Sequence, residues 1–200
     1  MPTKEKTRDN CSTNNISCLS LVYILSLVLI YEKRGKETYS MKFSTVKEFP
    51  FSMETAWKAL QDPAKLDVEP GTEVRIISPT KWEAINDDVG SVSTYWATFD
   101  EENKIVKIES TSNKKHDHDF IYFKLKELSD NEVSLEMDVE INTGVHLIAK
   151  ALSKLIEKPT KNIMSKHVYH NFEALCLGKE TKKMTQEELK AAAQKEYEKK

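Results

Sequence analysis

The chain has 200 residues and a formal net charge of −2, with 39 % hydrophobic and 31 % charged residues. That is one domain of ordinary size with tails, or two very small domains. Five Gly and six Pro exclude a collagen-like or low-complexity chain, and three scattered Cys exclude a disulfide framework. A reducing compartment is therefore the default for the folded part.

Residues 1–40 hold an uncharged run from Cys11 to Tyr31, whose apolar part is Ile16–Tyr31. The apolar part is short of the roughly 20 residues that span a bilayer core, and only the polar lead-in extends it to that length. A membrane anchor over residues 11–31 is one reading. A signal peptide is another, but no A-x-A-like cleavage site follows the run. The reading adopted takes Met41 as the start, because Arg34-Gly35-Lys36-Glu37 can be encoded by a purine-rich stretch of the kind bacterial ribosomes bind. Residues 1–40 are kept out of the fold, and the expected location is cytoplasmic, with membrane anchoring as the alternative.

Met41–Phe49 reads as a strand ended by Pro50. Ser52 offers an N-cap to a helix with Met53, Ala56, Trp57 and Leu60 on one face, closed by Asp62-Pro63. Ala64-Lys65-Leu66 begins a second short helix, and Pro70-Gly71 is a turn. Six strands follow: Glu73–Ser78, Lys81–Ile85, Ser91–Phe99, Lys104–Ser110, Asp119–Leu128 and Glu132–Ile141. The breaks between them are short and rich in Asn, Asp, Ser and Gly, which makes antiparallel hairpins. The last strand alternates Val133, Leu135, Met137, Val139 and Ile141 with polar residues, so one face of the sheet is wet.

After Gly144, residues Val145, Ile148, Ala149, Leu152, Leu155 and Ile156 keep helical spacing. Met164, Val168, Phe172 and Leu175 continue the stripe past Pro159, where a kink or brief break is expected, and Gly178 is the stop. Thr185-Gln186-Glu187-Glu188 is a capping box opening a polar helix in the tail, residues 179–200. Its stripe of Leu189, Ala192, Ala193 and Tyr197 is weak. A frayed surface helix is expected, with a small docking element as the alternative.

The fold class is thus α+β: a curved antiparallel sheet of seven strands wrapped around one long C-terminal helix, in β-α-α-β6-α order. A helix about 10 Å wide cannot fill a strongly curved sheet, so a cavity for an apolar ligand is expected between them. The segment Phe49–Leu66 supports this from another side. Trp57, Leu60, Asp62, Pro63 and Leu66 follow the opening pattern of the START-like superfamily, the polyketide cyclase/dehydrase and lipid-transport (SRPBCC) group with its helix-grip fold. The chain resembles that group from Met41 to Gly178. It departs from it where Val68-Glu69-Pro70-Gly71 replaces the usual Trp-x-Pro, which points to an outlying bacterial branch. The resemblance implies an apolar-ligand pocket but no single activity.

The expected pocket lining is Trp82, Tyr95, Trp96, Phe123, Met137, Leu152, Ile156 and Met164, with Trp57 in the core. No catalytic residue, metal ligand or cofactor is assigned. His116-Asp117-His118 reads as a solvated turn, His167 and His170 as structural or surface residues, and Cys176 as a small buried hydrophobe. Of these, His170 with Tyr169 near the pocket mouth is the best candidate for acid–base work. The functional reading is non-catalytic binding of a small hydrophobic or amphipathic ligand. An enzyme of the cyclase, aromatase or hydratase kind is the alternative, which needs two of His146, His167, His170, Tyr95 and Tyr122 inside the cavity. A protein-interaction module is a further one. Residues 41–178 carry a net −6, which repels phosphate backbones, so no nucleic-acid partner is expected. A membrane partner is expected only if residues 11–31 insert.

Overall fold

The computed structural model describes residues 39–144 and 147–198. Seven strands form one antiparallel sheet: β1 (Tyr39–Phe49), β2 (Glu73–Ser78), β3 (Lys81–Asn86), β4 (Ser91–Asp100), β5 (Ile105–Ser112), β6 (Lys115–Ser129) and β7 (Glu132–Gly144). Their spatial order is β1-β7-β6-β5-β4-β3-β2. The two edge strands are consecutive in the chain. The segment joining them, α1 (Met53–Leu60) and a 3-10 turn (Pro63–Leu66), therefore crosses from one edge to the other. Helix α2 (Leu147–Cys176) lies along the sheet, and α3 (Gln186–Glu198) follows it.

The local chemistry accounts for the boundaries. The Ser52 hydroxyl accepts from the Thr55 N–H at 3.3 Å and caps α1. At the end of α2, Gly178 takes φ +65°. Its N–H reaches Leu175 O at 3.0 Å and the Lys179 N–H reaches Ala174 O at 2.8 Å. This is the paired bonding of a glycine-terminated helix. Register shifts interrupt the ladders near Ser78, Ser112 and Ser129, and such irregularities bend strands and increase local twist.

Two expectations are corrected. Pro159 does not break α2, which is continuous from Leu147 to Cys176. The lost hydrogen bond and ring clash cost about 3 kcal/mol in an exposed helix, but the Pro159 ring is buried, which offsets part of that. The run His116-Asp117-His118 lies in β6 and not in a turn. Asn113 ties the β5–β6 turn to β4: its N–H donates to Val92 O at 3.0 Å, and its Oδ1 accepts the Val92 N–H at 2.9 Å.

The concave face carries the core. Val106, Ile108, Phe123, Leu135 and Met137 are buried beneath Val168 and Phe172 of α2, and Ala56, Trp57 and Leu60 of α1 seal the flank. The convex face carries exposed ion pairs such as Lys42–Glu140 at 2.7 Å and Lys107–Glu109 at 3.2 Å. Pairs of this kind contribute between 0 and about 1 kcal/mol each; they keep this face wetted.

Candidate functional site: an apolar cavity with a buried carboxyl–phenol pair

The concave face has two unlike ends. At one, Phe99, Val106, Phe123 and Met137 are paired residue to residue across β4, β5, β6 and β7, with Thr45 of β1 next in the row. Helix α2 closes over this end. Phe172 meets Phe49 edge-on at 4.9 Å between centroids, and Tyr169 shares a 2.7 Å hydrogen bond with the Thr45 hydroxyl. Burial pushes the Tyr169 phenol up to about 12, so it stays protonated.

At the other end the equivalent row is Trp82, Tyr95, Ser110 and Asp119. Three of these four carry polar groups in the middle of the sheet. Tyr95 is buried and stacks on Trp82 with centroids 5.3 Å apart. Its hydroxyl donates to the carboxylate of Glu69. Burial raises the Glu69 pKa above the ordinary carboxylate value; hydrogen bonds from Tyr95 and Ser93 oppose the rise, while the charges of Asp119 and Asp67 add to it. Burial also raises the Tyr95 phenol well above its ordinary value, and the Glu69 charge reinforces this. The pair is therefore biased towards its protonated forms. Asn86 Oδ1, on the same face of β3, is buried with no partner among the described residues.

Glu69 stands in the connection between the 3-10 turn and β2. The Thr72 hydroxyl donates to its carbonyl at 2.7 Å, and Pro70-Gly71 then turns the chain. Gly71 has φ +82°, and a Cβ there would meet the Gln186 side chain at 3.1 Å. Both conditions call for glycine. The close approach exists because the tail docks here: the Gly71 N–H donates to Met184 O at 2.8 Å, and the Gln186 amide donates to Gly71 O.

The same tail is fixed to α2. Asn171, fully buried, donates to Lys182 O and accepts the Lys182 N–H, both at 2.9 Å. Asp67, at φ +55°, accepts from Met184 N–H at 3.2 Å and lies 2.7 Å from His167 Nε2. The predicted capping box forms, with Thr185 and Glu188 exchanging bonds of 3.0 and 3.2 Å. Helix α3 is thus docked rather than frayed. Leu189, Ala193 and Tyr197 of its stripe face one cavity, while Ala192 borders the groove that holds His167 and His170.

Between α3, the middle of α2, the Glu69–Pro70 loop and the end of β7 lies a cavity of about 350 Å³. Ile156, Pro159, Ile163 and Met164 form the α2 wall, Leu189, Ala193 and Tyr197 the α3 wall, and Val68 and Ile141 the remainder. Glu69 and Lys190 are its charged lining residues. A larger groove, about 1030 Å³, runs beside the β2 edge, but it is lined by Lys58, Lys65, Lys179, Lys183 and three acidic residues. The smaller, apolar cavity with a single convergent polar cluster fits a small-molecule site better.

Of the residues expected to line a pocket, Ile156 and Met164 do so. Trp82 and Tyr95 sit behind Glu69, in a packed space with no room for a water-sized molecule. Phe123 and Met137 are fully buried in the filled end. Trp96 is on the opposite face, 37 % exposed, beneath the Lys81 ammonium at 5.5 Å. The reason is the strand period of two: adjacent Tyr95 and Trp96 cannot share a face. The Leu152 side chain lies outside the described residues, as does His146.

The other candidates are placed as follows. His167 is buried in the tail clasp and His170 is exposed, so His170 and Tyr169 do not meet at a pocket mouth. Tyr122 faces outward beside Lys124 and Asp138. Tyr95 and His167 are buried in separate hydrogen-bond networks and neither lines this cavity; His167 and His170 border a separate groove between α2 and α3. Burial and the adjacent Glu173 push the Cys176 thiol up to about 12, so it is held as the thiol and not the thiolate. His118 pairs with Glu109, and no group of three metal-ligating side chains occurs among the described residues. No helix among them is long and apolar enough to cross a membrane, and the run 11–31 lies outside the described residues. Glu69, the residue that sequence reading missed, sits in Val68-Glu69-Pro70-Gly71, the very stretch that departs from the START-like pattern.

No protein-family model matches the chain, and no curated protein matches it in sequence. Its three-dimensional form does match solved structures. A START superfamily protein from Mycobacterium smegmatis superposes with a TM-score of 0.51 at 13 % identity, over 68 % of this chain and 97 % of that one. A conserved protein from Geobacillus kaustophilus gives 0.53 at 13 %, over 68 % and 95 %. Norcoclaurine synthase from Thalictrum flavum, in complex with dopamine and hydroxybenzaldehyde, gives 0.52 at 12 %, over 88 % and 100 %. At such identities the likeness is one of fold. With seven antiparallel strands curved around a long C-terminal helix, this chain has the START-like helix-grip fold.

Proposed function

We propose that the chain binds a small apolar or amphipathic molecule in the cavity between α2, α3, the Glu69–Pro70 loop and the end of β7. The observation that carries this reading is the cavity itself: about 350 Å³, walled largely by aliphatic side chains, with Glu69 on its lining and Tyr95 bonded behind it. Burying a ligand's apolar surface there contributes roughly 25 cal/mol per Å², and the pair supplies orientation. The norcoclaurine synthase of the same fold, in complex with two small aromatic molecules, supports the idea that this architecture accommodates such ligands.

The test is calorimetric titration of the full chain with n-decanol, alongside the variant Ala193→Trp. Ala193 lines the cavity from α3, and an indole there fills it. Saturable one-site binding is expected for the native chain, at least tenfold weaker in the variant with an unchanged circular dichroism spectrum. Equal affinities would remove the cavity as the binding site.

A second reading is favoured by one observation. Glu69 lines the cavity, and burial raises its carboxyl pKa towards neutrality, which suits a general acid. An enzyme of the cyclase or hydratase kind would use it so. Glu69→Gln would then abolish turnover while decanol binding persisted.

A further inference from the structure

The charge around the cavity is one-sided. Its two charged lining residues are Glu69 and Lys190. Lys190 is turned away from the interior: its ammonium lies 3.6 Å from Asp88 in the β3–β4 turn. Glu69 is turned inward, towards buried Tyr95. The charged groups that act most strongly on Glu69 are Asp119 and Asp67, and both are acidic. Asn86 Oδ1 adds a buried acceptor on the same side of the sheet. The polar end is thus rich in acceptors, and neither of the two charges that act most strongly on Glu69 is positive, although Asp67 is itself paired with His167. A buried carboxylate without a counter-charge is costly; an entering cation would supply the charge that the protein does not. An entering carboxylate would meet Glu69 on the cavity lining, and like charges repel.

We infer that the cavity selects cationic amphiphiles, an ammonium head on a short apolar chain, with Glu69 as the counter-ion at its buried end. This inference rests on the cavity being a ligand site. The volume sets the chain length. At the roughly 30 Å³ that one water occupies in the liquid, about 350 Å³ holds a decyl chain with a small head group. The ammonium donates to Glu69, while Tyr95 keeps donating its hydroxyl proton to the same carboxylate. The aliphatic residues of α2 and α3 take the chain.

The experiment is a calorimetric series at pH 7 on the full chain with n-decylammonium, n-decanol and n-decanoate, the ions below their micelle concentrations and the alcohol below its solubility limit. The expected order is ammonium, then alcohol, then carboxylate, with at least a tenfold gap between the first and the last. In Glu69→Gln, which keeps an acceptor for Tyr95, the gap should shrink to about twofold. Decanoate binding as tightly as decylammonium would overturn the charge selection and leave the pocket standing. Selectivity that survives in Glu69→Gln would overturn the assignment to Glu69. Binding of none of the three would overturn the pocket and this inference with it. The native comparison alone decides the first point, so the test does not depend on the variant folding.

Discussion

The two ends of the concave face have the same backbone and opposite chemistry. Across Phe99, Val106, Phe123 and Met137 the sheet is apolar and α2 presses Phe172 and Val168 onto it. Across Trp82, Tyr95, Ser110 and Asp119 it is polar, and beside this row Glu69, Ile141, Ile156, Met164 and α3 enclose a cavity. Folding alone does not call for the second arrangement, since burying hydroxyl and carboxyl groups costs free energy unless every one is paired. A buried polar row with an unfilled cavity beside it, in a chain that otherwise packs well, is the place where our proposal puts the ligand. The filled end provides the stability, and the polar end uses some of it.

Four substitutions break or sharpen this contrast. The largest effect should come from the filled end. Phe123→Ala removes a fully buried ring and should lower unfolding free energy by about 3–5 kcal/mol in urea titration, without altering the order of ligand preference. A loss under about 1 kcal/mol would mean that this end is not packed as described.

Asn171→Ala comes next. It leaves the Lys182 amide and carbonyl without their side-chain partner and should cost about 2 kcal/mol. Amide hydrogen exchange should rise mainly in Gln186–Glu198, since that helix depends on the clasp. Uniform loss of protection across the sheet would show that α3 is not a separately held element.

Glu69→Gln acts through pH. Folding raises the Glu69 pKa because burial disfavours its charge. The contribution of the neutral carboxyl is therefore complete below the ordinary carboxylate range, and it is lost as pH rises through the raised folded value. Gln does not titrate. The variant should match the native chain in acid and exceed it in stability at neutral pH, as read from thermal melts at a series of pH values. A native chain that gains on the variant as pH rises would reverse the sign and refute buried protonation.

The smallest effect belongs to the convex face. Trp96→Ala should change stability by no more than about 0.5 kcal/mol and leave decanol affinity unchanged, because the indole lies outside under Lys81. A marked loss of binding would place a site on that face.

The architecture was legible because it rests on periodicities that a single chain displays. Alternation from Val133 to Ile141 marked the inner face of β7, and the short Asn/Asp/Ser breaks made every strand antiparallel. Ser52, Gly178 and the Thr185–Glu188 box marked helix ends through local bonds, which need no tertiary information. The site was less legible because it depends on which faces meet. Tyr95 and Trp96 looked equivalent as aromatics, although parity alone separates them. Met137 and Phe123 have the composition of a pocket wall, but α2 fills the space above them. Glu69 has the look of a surface loop acid; its burial depends on a tail more than a hundred residues away, which binds Gly71 through Met184 and Gln186. No local pattern carries that information.

The contrast between the two ends can be read in one sample. Met164 lines the cavity and Met137 is fully buried in the filled end. In a chain labelled with 13C at the methionine methyls, titration with n-decanol should shift the Met164 resonance in a saturable way and leave Met137 in place. A shift of Met137 with Met164 unmoved, or no shift at either, would contradict the assignment of the ligand to this cavity.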